Sequence, residues 1–244
     1  AVRLAMAGRT APPDALEARG GLIGAMSPKG NYDLEKPVAP LKDDWRLASV
    51  GVSLKMYPFF NSSQRTLDST FSLIGEHDLK PEQVESVVVV IGAAQAASLG
   101  IGGPPKKVYF AQGDMTLAVA VALLNRATER PHVQPTYYTR PEVQALMKRV
   151  TIEVSADAPS DGDITYLGGS GKVKVKTVDG RLLETPHRAF NRGHWTDRVT
   201  TEEFWRKFDG CTSRFMTPSA SRRLFDKLQN LEQVKSVAEL NAAA

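Results

Sequence analysis

Val84-Glu-Ser-Val-Val-Val-Val-Ile91 is β-branched and almost continuously apolar, which reads as a strand covered on both faces. Working outward, Lys80-Pro81-Glu82-Gln83 turns the chain into this strand. Before that turn, Leu67, Phe71 and Ile74 lie at helical spacing in a segment running from Ser62 or Ser63 to about His77. Downstream, Val150-Thr-Ile-Glu-Val154 alternates as a half-buried strand, and Lys172-Val-Lys-Val-Lys-Thr-Val178 alternates more cleanly before an Asp179-Gly180 turn. The expectation is that these last two strands pair with each other.

Between the strands, Asp114 to Arg126 reads as a buried helix capped by Asp114, and Arg140-Pro141-Glu142 opens a second helix ending near Met147. Thr200-Thr-Glu-Glu203 resembles a capping box ahead of Phe204, Trp205 and Phe208. A last helix, capped at Ser219 or Ser221, spaces Leu224, Leu228 and Leu231 for one buried face. Residues 1–48 combine a short helix, a Gly20-Gly21 break, a turn at Ser27 to Asn31, Pro37 and Pro40, which is mostly connection. The fold class is therefore α+β: a small α/β domain over residues 49–192, flanked by helical segments over 1–48 and 193–244 whose apolar faces need partners.

The 244 residues are 42% hydrophobic and 24% charged, enough for a real core in a soluble protein. The net charge of +4 comes from 31 basic and 27 acidic residues without long like-charge blocks, so no nucleic-acid surface is expected. One cysteine, Cys211, rules out an intramolecular disulfide, and His77, His132 and His187 lack metal-ligand spacing. No segment reaches the ~20 apolar residues of a membrane span, and the first residues do not resemble a secretory signal. The expected compartment is the cytoplasm. Ala1 to Ala7 starts without a cap, as if the chain begins inside a helix. Gly100-Ile-Gly-Gly-Pro-Pro105 lacks the lysine-serine ending of a phosphate loop and the spacing of a dinucleotide fingerprint.

Chemistry is expected first at Lys55, in Val52-Ser-Leu-Lys-Met-Tyr-Pro58: one ammonium at the end of an extended segment that stops at proline before a helix. Desolvation near other cations would lower its pKa and a substrate carboxylate would raise it, which suits a charge clamp or proton donor. The competing reading is an exposed lysine at a strand end.

The ordered set of Gly8 to Gly21, Lys55-Met-Tyr-Pro58, His77 to Glu85, Ala111 to Leu124, Asp179-Gly180, and Gly193-His194 through Lys207-Phe208 resembles the second half of the MmgE/PrpD family. That resemblance implies a cofactor-free lyase or epimerase of di- and tricarboxylates, as in 2-methylcitrate dehydratases and cis-aconitate decarboxylases, and the histidine spacing adds the expectation of no metal. It implies that the flanking segments belong to a large all-helical domain, with the active site between that domain and the small one. It also implies that most catalytic groups lie in a first half supplied by a second polypeptide or by missing sequence, in a homo- or hetero-oligomer. By the same resemblance Lys55 is the catalytic lysine, and Gln64, Tyr57 and His194 are candidates for binding substrate. Each has a structural alternative: a solvent-facing helix residue for Gln64, a half-buried ring for Tyr57, and a backbone-bonded turn for His194. Leu117 stands where the family often carries a tyrosine, so a hydroxyl donor is absent there.

Overall fold

The computed structural model describes residues 2–18, 21–27, 47, 51–98, 108–156, 158 and 171–241. The chain divides into two compact units, Ala1–Gly51 and Val52–Ala244. In the first, α1 (Val2–Met6) and α2 (Leu22–Met26) are single turns that bury no residue. Gly21 precedes α2 because a Cβ there would lie 2.7–2.9 Å from the carbonyl oxygens of Leu16, Ala15 and Ala18. Residues 28–46, with the expected Pro37 and Pro40 breaks, and the 100–105 loop lie outside the described residues.

The second unit is built on α3 (Asn61–His77), which starts one or two residues earlier than its serines suggest. Phe60 stands at the N-cap without a side-chain bond, so the cap is backbone only. A turn at Pro81–Gln83 leads to β1 (Val84–Ile91), and α4 (Ala93–Ser98) follows. Then come α5 (Val108–Gly113) and α6 (Met115–Asn125), the latter capped by Asp114, whose carboxylate accepts from the Thr116 and Leu117 amides. The short α7 (Pro135–Tyr138) and α8 (Pro141–Met147) lead into β2 (Val150–Val154). β3 (Lys172–Thr177) turns at Gly180 into β4 (Leu182–Glu184).

The sheet order is β2-β1-β3-β4, with β1 and β2 parallel and the other pairs antiparallel. The two alternating strands therefore do not pair with each other, as their sequences had suggested. β1 lies between them, opposing Val87 to Val150 on one side and to Val175 on the other. The most apolar strand takes an interior place, where both of its edges find partners. Its burial is one-sided at first and complete only at its end: Val87 and Val89 are buried, Glu85 is exposed, Val88 is intermediate, and Val90 and Ile91 are both buried. A register shift against β3 lies at the start of the strand, between Val84 and Ser86.

Helices α3 and α6 pack against each other and back one face of the sheet, joined by α8. Val84, Val87, Val89, Leu117, Val121, Val143, Val173 and Leu67 meet in a single core. Two further helices, α9 (Thr201–Thr212) and α10 (Pro218–Gln229), form a hairpin. Thr200 and Glu203 close the capping box at the start of α9. Phe225, 1% exposed, receives Phe204, Trp205 and Phe208 at centroid distances of 5.2–5.6 Å. Phe225, not the leucine row, is thus the anchor: Leu224 and Leu228 are only partly covered and Leu231 is 52% exposed. The cap is Thr217, two residues before the nearer serine. A four-residue helix, α11 (Ala238–Asn241), ends the described chain.

Candidate functional site

Lys55 lies on an extended segment that other parts of the unit grip on both sides. On the N-terminal side, the Leu54 amide donates to the Gly193 carbonyl at 2.8 Å, and Asn191 Nδ2 donates to the Leu54 carbonyl at 3.3 Å. Gly193 has φ +91°, and a Cβ there would sit 2.8 Å from the Leu54 oxygen, so conformation and close approach both require glycine. On the C-terminal side, Gln64 is almost fully buried in α3, and its amide closes a ring of backbone bonds. Its Oε1 accepts from the Tyr57 amide, and its Nε2 donates to the Tyr57 and Phe59 carbonyls. Gln64 is not a solvent-facing residue; it shapes the turn that follows Lys55.

Tyr57 is half-buried and donates its hydroxyl to Asp68 Oδ1 at 2.7 Å. Burial, then the Asp68 charge and hydrogen bond, push its phenol well above the ordinary tyrosine value. The other Asp68 oxygen accepts the Arg192 amide at 2.7 Å. Burial raises the Asp68 pKa, opposed by these two hydrogen bonds. Arg192 in turn binds Glu203 through Nη2 at 2.7 Å and Asp197 through Nη1 at 2.5 Å. The hydrogen bonds from Arg192 and from the Thr200 amide hold the Glu203 carboxyl down to about 2. The 191–197 loop therefore joins three elements: the Lys55 segment, α3 and the first turn of α9.

His194 lies within that loop, 4% exposed, stacked on Phe190 at 4.3 Å and tilted against Trp195. Its Nδ1 accepts the Thr196 amide at 3.2 Å and meets the Thr196 hydroxyl at 2.6 Å. That geometry matches the backbone-bonded alternative. Leu117 is fully buried in α6, so the position lacking a tyrosine hydroxyl is part of the core here.

Lys55 itself points outward, with Nζ 5.9 Å from the centroid of the Phe60 ring. The ring is seated by the Phe60 amide, which donates to the Gln112 carbonyl at 2.8 Å, and by Gly113, where a Cβ would come within 3.1 Å of it. Partial burial, then repulsion from Lys207 on α9, lower the Lys55 pKa below the usual 10.5. Next to this segment opens a cleft of about 500 Å³, lined by Met56 and Pro58, Gln112, the Thr128–Pro131 turn, and Arg206, Lys207, Gly210 and Cys211 of α9, with Ser213 and Arg214 beyond it. Four of these residues are cations, Arg130, Arg206, Lys207 and Arg214, and one is an acid, Glu129, so the lining carries a net charge of +3. The sequence alone did not single out this cationic wall. Its members are scattered over more than 80 positions, and only the Arg206-Lys207 pair on the outer turn of a capped helix hinted at it. Among the described residues, no three His, Cys, Asp or Glu side chains gather as a metal-binding group. No helix among them is long and apolar enough to cross a membrane.

The mixed sheet backed by two helices, with a clamped lysine beside a basic cleft, defines an α+β domain that presents positive charge at a concave surface. The chain belongs to the MmgE/PrpD family: the MmgE/PrpD C-terminal domain matches residues 57–233. Lys55 lies two residues ahead of that match. Cis-aconitate decarboxylase of Mus musculus is 22% identical over 203 residues, covering 80% of this chain and 40% of the relative. The match thus spans about two fifths of the length of this curated relative.

Proposed function

We propose that this chain is one half, or one subunit, of a cofactor-free lyase acting on a di- or tricarboxylate. The observation that carries this reading is Lys55, gripped on both sides and left with its ammonium partly desolvated beside a basic cleft. In a proton abstraction next to a carboxylate, charge moves onto the carboxylate as an enediolate. A fixed ammonium stabilises that charge more than the ground state. Collapse of the enediolate expels a β-hydroxyl, which leaves as water once protonated, or the proton returns to the opposite face for an epimerisation. In a decarboxylation the same charge arises instead as the C–C bond breaks and releases carbon dioxide, and the carbanion left behind takes up a proton. The name of the mouse relative, a decarboxylase, supports a lyase.

The general base would come from sequence outside this chain. The carboxylates nearest the Lys55 segment are already committed, Asp68 to Tyr57 and Arg192, Glu203 to Arg192 and Thr200. A partner carrying the N-terminal half, in a cytoplasmic homo- or hetero-oligomer, would complete the site. The buried Leu117 gives some support to a second reading, a scaffold subunit that keeps the fold without the chemistry.

Native mass spectrometry of the chain isolated from its source cells separates the two. A stoichiometric partner that confers lyase activity on cis-aconitate or a related tricarboxylate supports the enzyme. A self-assembled oligomer inert toward such substrates supports the scaffold.

A further inference from the structure

We propose that Lys207 is the second arm of the Lys55 anion site, so that a multiply charged carboxylate is held between a lysine of the extended segment and a lysine of α9. This rests on the functional reading above and deepens it. Three observations carry it. Lys207 lines the same cleft as Met56, the residue next to Lys55. It is near enough for the two ammonium groups to repel. And one loop fixes both: Gly193 and Asn191 hold Leu54, while the neighbouring Arg192 holds Glu203, one helical turn before Lys207 on α9.

Among the described residues, no acid lies within ion-pair distance of Lys55 or Lys207. Two like charges held close without a counter-ion raise the energy of the empty site, and an anion bridging them relieves it. Other charges face the cleft as well. Glu129 and Arg130 come from the turn after α6, and Arg206 and Arg214 from the α9 side. Arg206 is in part engaged, 3.9 Å from Glu202 on its own helix. The loop's Arg192 and Asp197 are paired with each other and further engaged, Arg192 with Glu203 of α9 and Asp197 with Arg188 at 3.6 Å. The arrangement favours a ligand with at least two carboxylates over a monocarboxylate of the same size.

The test uses the full chain, with competitive acylation of individual lysines across pH read by peptide mass spectrometry, and citrate and acetate as probes in calorimetry. Lys55 should titrate below an ordinary lysine, rise on adding citrate, and respond little to acetate. Lys207→Gln should move the Lys55 midpoint upward without ligand and weaken citrate binding roughly fivefold, the scale of one partly exposed charge contact. Lys207→Arg, which keeps the charge, should restore binding, and a folding check by circular dichroism accompanies each variant. If Lys207→Gln changes neither the Lys55 titration nor citrate affinity while Lys55→Gln weakens binding, the two-armed site is wrong and the lyase reading survives. If Lys55→Gln also leaves citrate binding intact, both fall.

Discussion

The lysines of the sheet and the lysines of the cleft are the same residue type in opposite settings. On β3, Lys172, Lys174 and Lys176 project from the face away from the core, and each meets a glutamate: Glu184 at 3.1 Å, Glu153 at 3.6 Å and Glu85 at 2.6 Å. The pairs with Glu184 and Glu85 tie β3 to its two neighbours, the pair with Glu153 reaches across β1 to β2, and at this largely exposed surface each contributes little. Lys207 lines the cleft and Lys55 lies beside it, and neither finds an acid within ion-pair distance among the described residues. On that face of the sheet each lysine is neutralised. Where the fold leaves lysines uncompensated, it holds them rigidly with backbone bonds, a glycine at positive φ and a chain of ion pairs. Rigidity spent on repulsive charges marks a place prepared for an anion.

The sharpest way to break this contrast is Gly193→Ala. The added methyl meets the Leu54 carbonyl in a conformation alanine resists, and the cost should be about 2–4 kcal/mol in denaturant unfolding. The Lys55 segment should come loose, seen as faster amide exchange at Leu54, while the β3 amides stay protected. Next in size is Tyr57→Phe, which leaves the buried Asp68 carboxylate short of one donor. A loss of about 1–3 kcal/mol is expected in the same assay. Lys174→Gln on the sheet should cost under about 1 kcal/mol, because its partner is exposed and the pair is loose.

The smallest effect should be one of pH, at the edge of the cleft. His132 Nδ1 accepts the Glu129 amide and so holds the turn whose residues line the cleft. Burial lowers the His132 pKa below 6.5, outweighing the raising effect of Glu129. A histidine with a depressed folded pKa adds stability above its unfolded value and loses it as the pH falls through the folded one. Stability should therefore decline as the pH drops below about 6.5, and His132→Gln should flatten that part of the profile.

Much of this fold can be read from local pattern. Val84–Ile91 announced the central strand, Asp114 and Thr200 announced their helices, and Asp179-Gly180 announced the hairpin, because each signal lies within a few residues of what it specifies. Strand order was not legible. Val150–Val154 and Lys172–Thr177 look alike as half-buried strands, and only the three-dimensional competition for the centre puts β1 between them. Lys55 stood out through its motif, but its surroundings did not. Gln64 looked like a surface or binding residue, since nothing in a linear pattern shows that an amide in the first turn of a helix will fold back on the preceding carbonyls. Lys207 was visible only as one charge in an amphipathic helix, and its nearness to Lys55 depends on a loop 14 residues away, at Gly193.

The most direct measurement is the rate of carbon dioxide release from cis-aconitate, or of water release from a hydroxy-tricarboxylate such as citrate, by the assembled enzyme, comparing the parent with Lys55→Gln. A developing charge that loses one fixed donor typically slows by about 10²–10³, so kcat should fall by that order while the thermal stability holds. An assembled enzyme whose kcat is untouched by Lys55→Gln would contradict the account and move the chemistry away from this lysine.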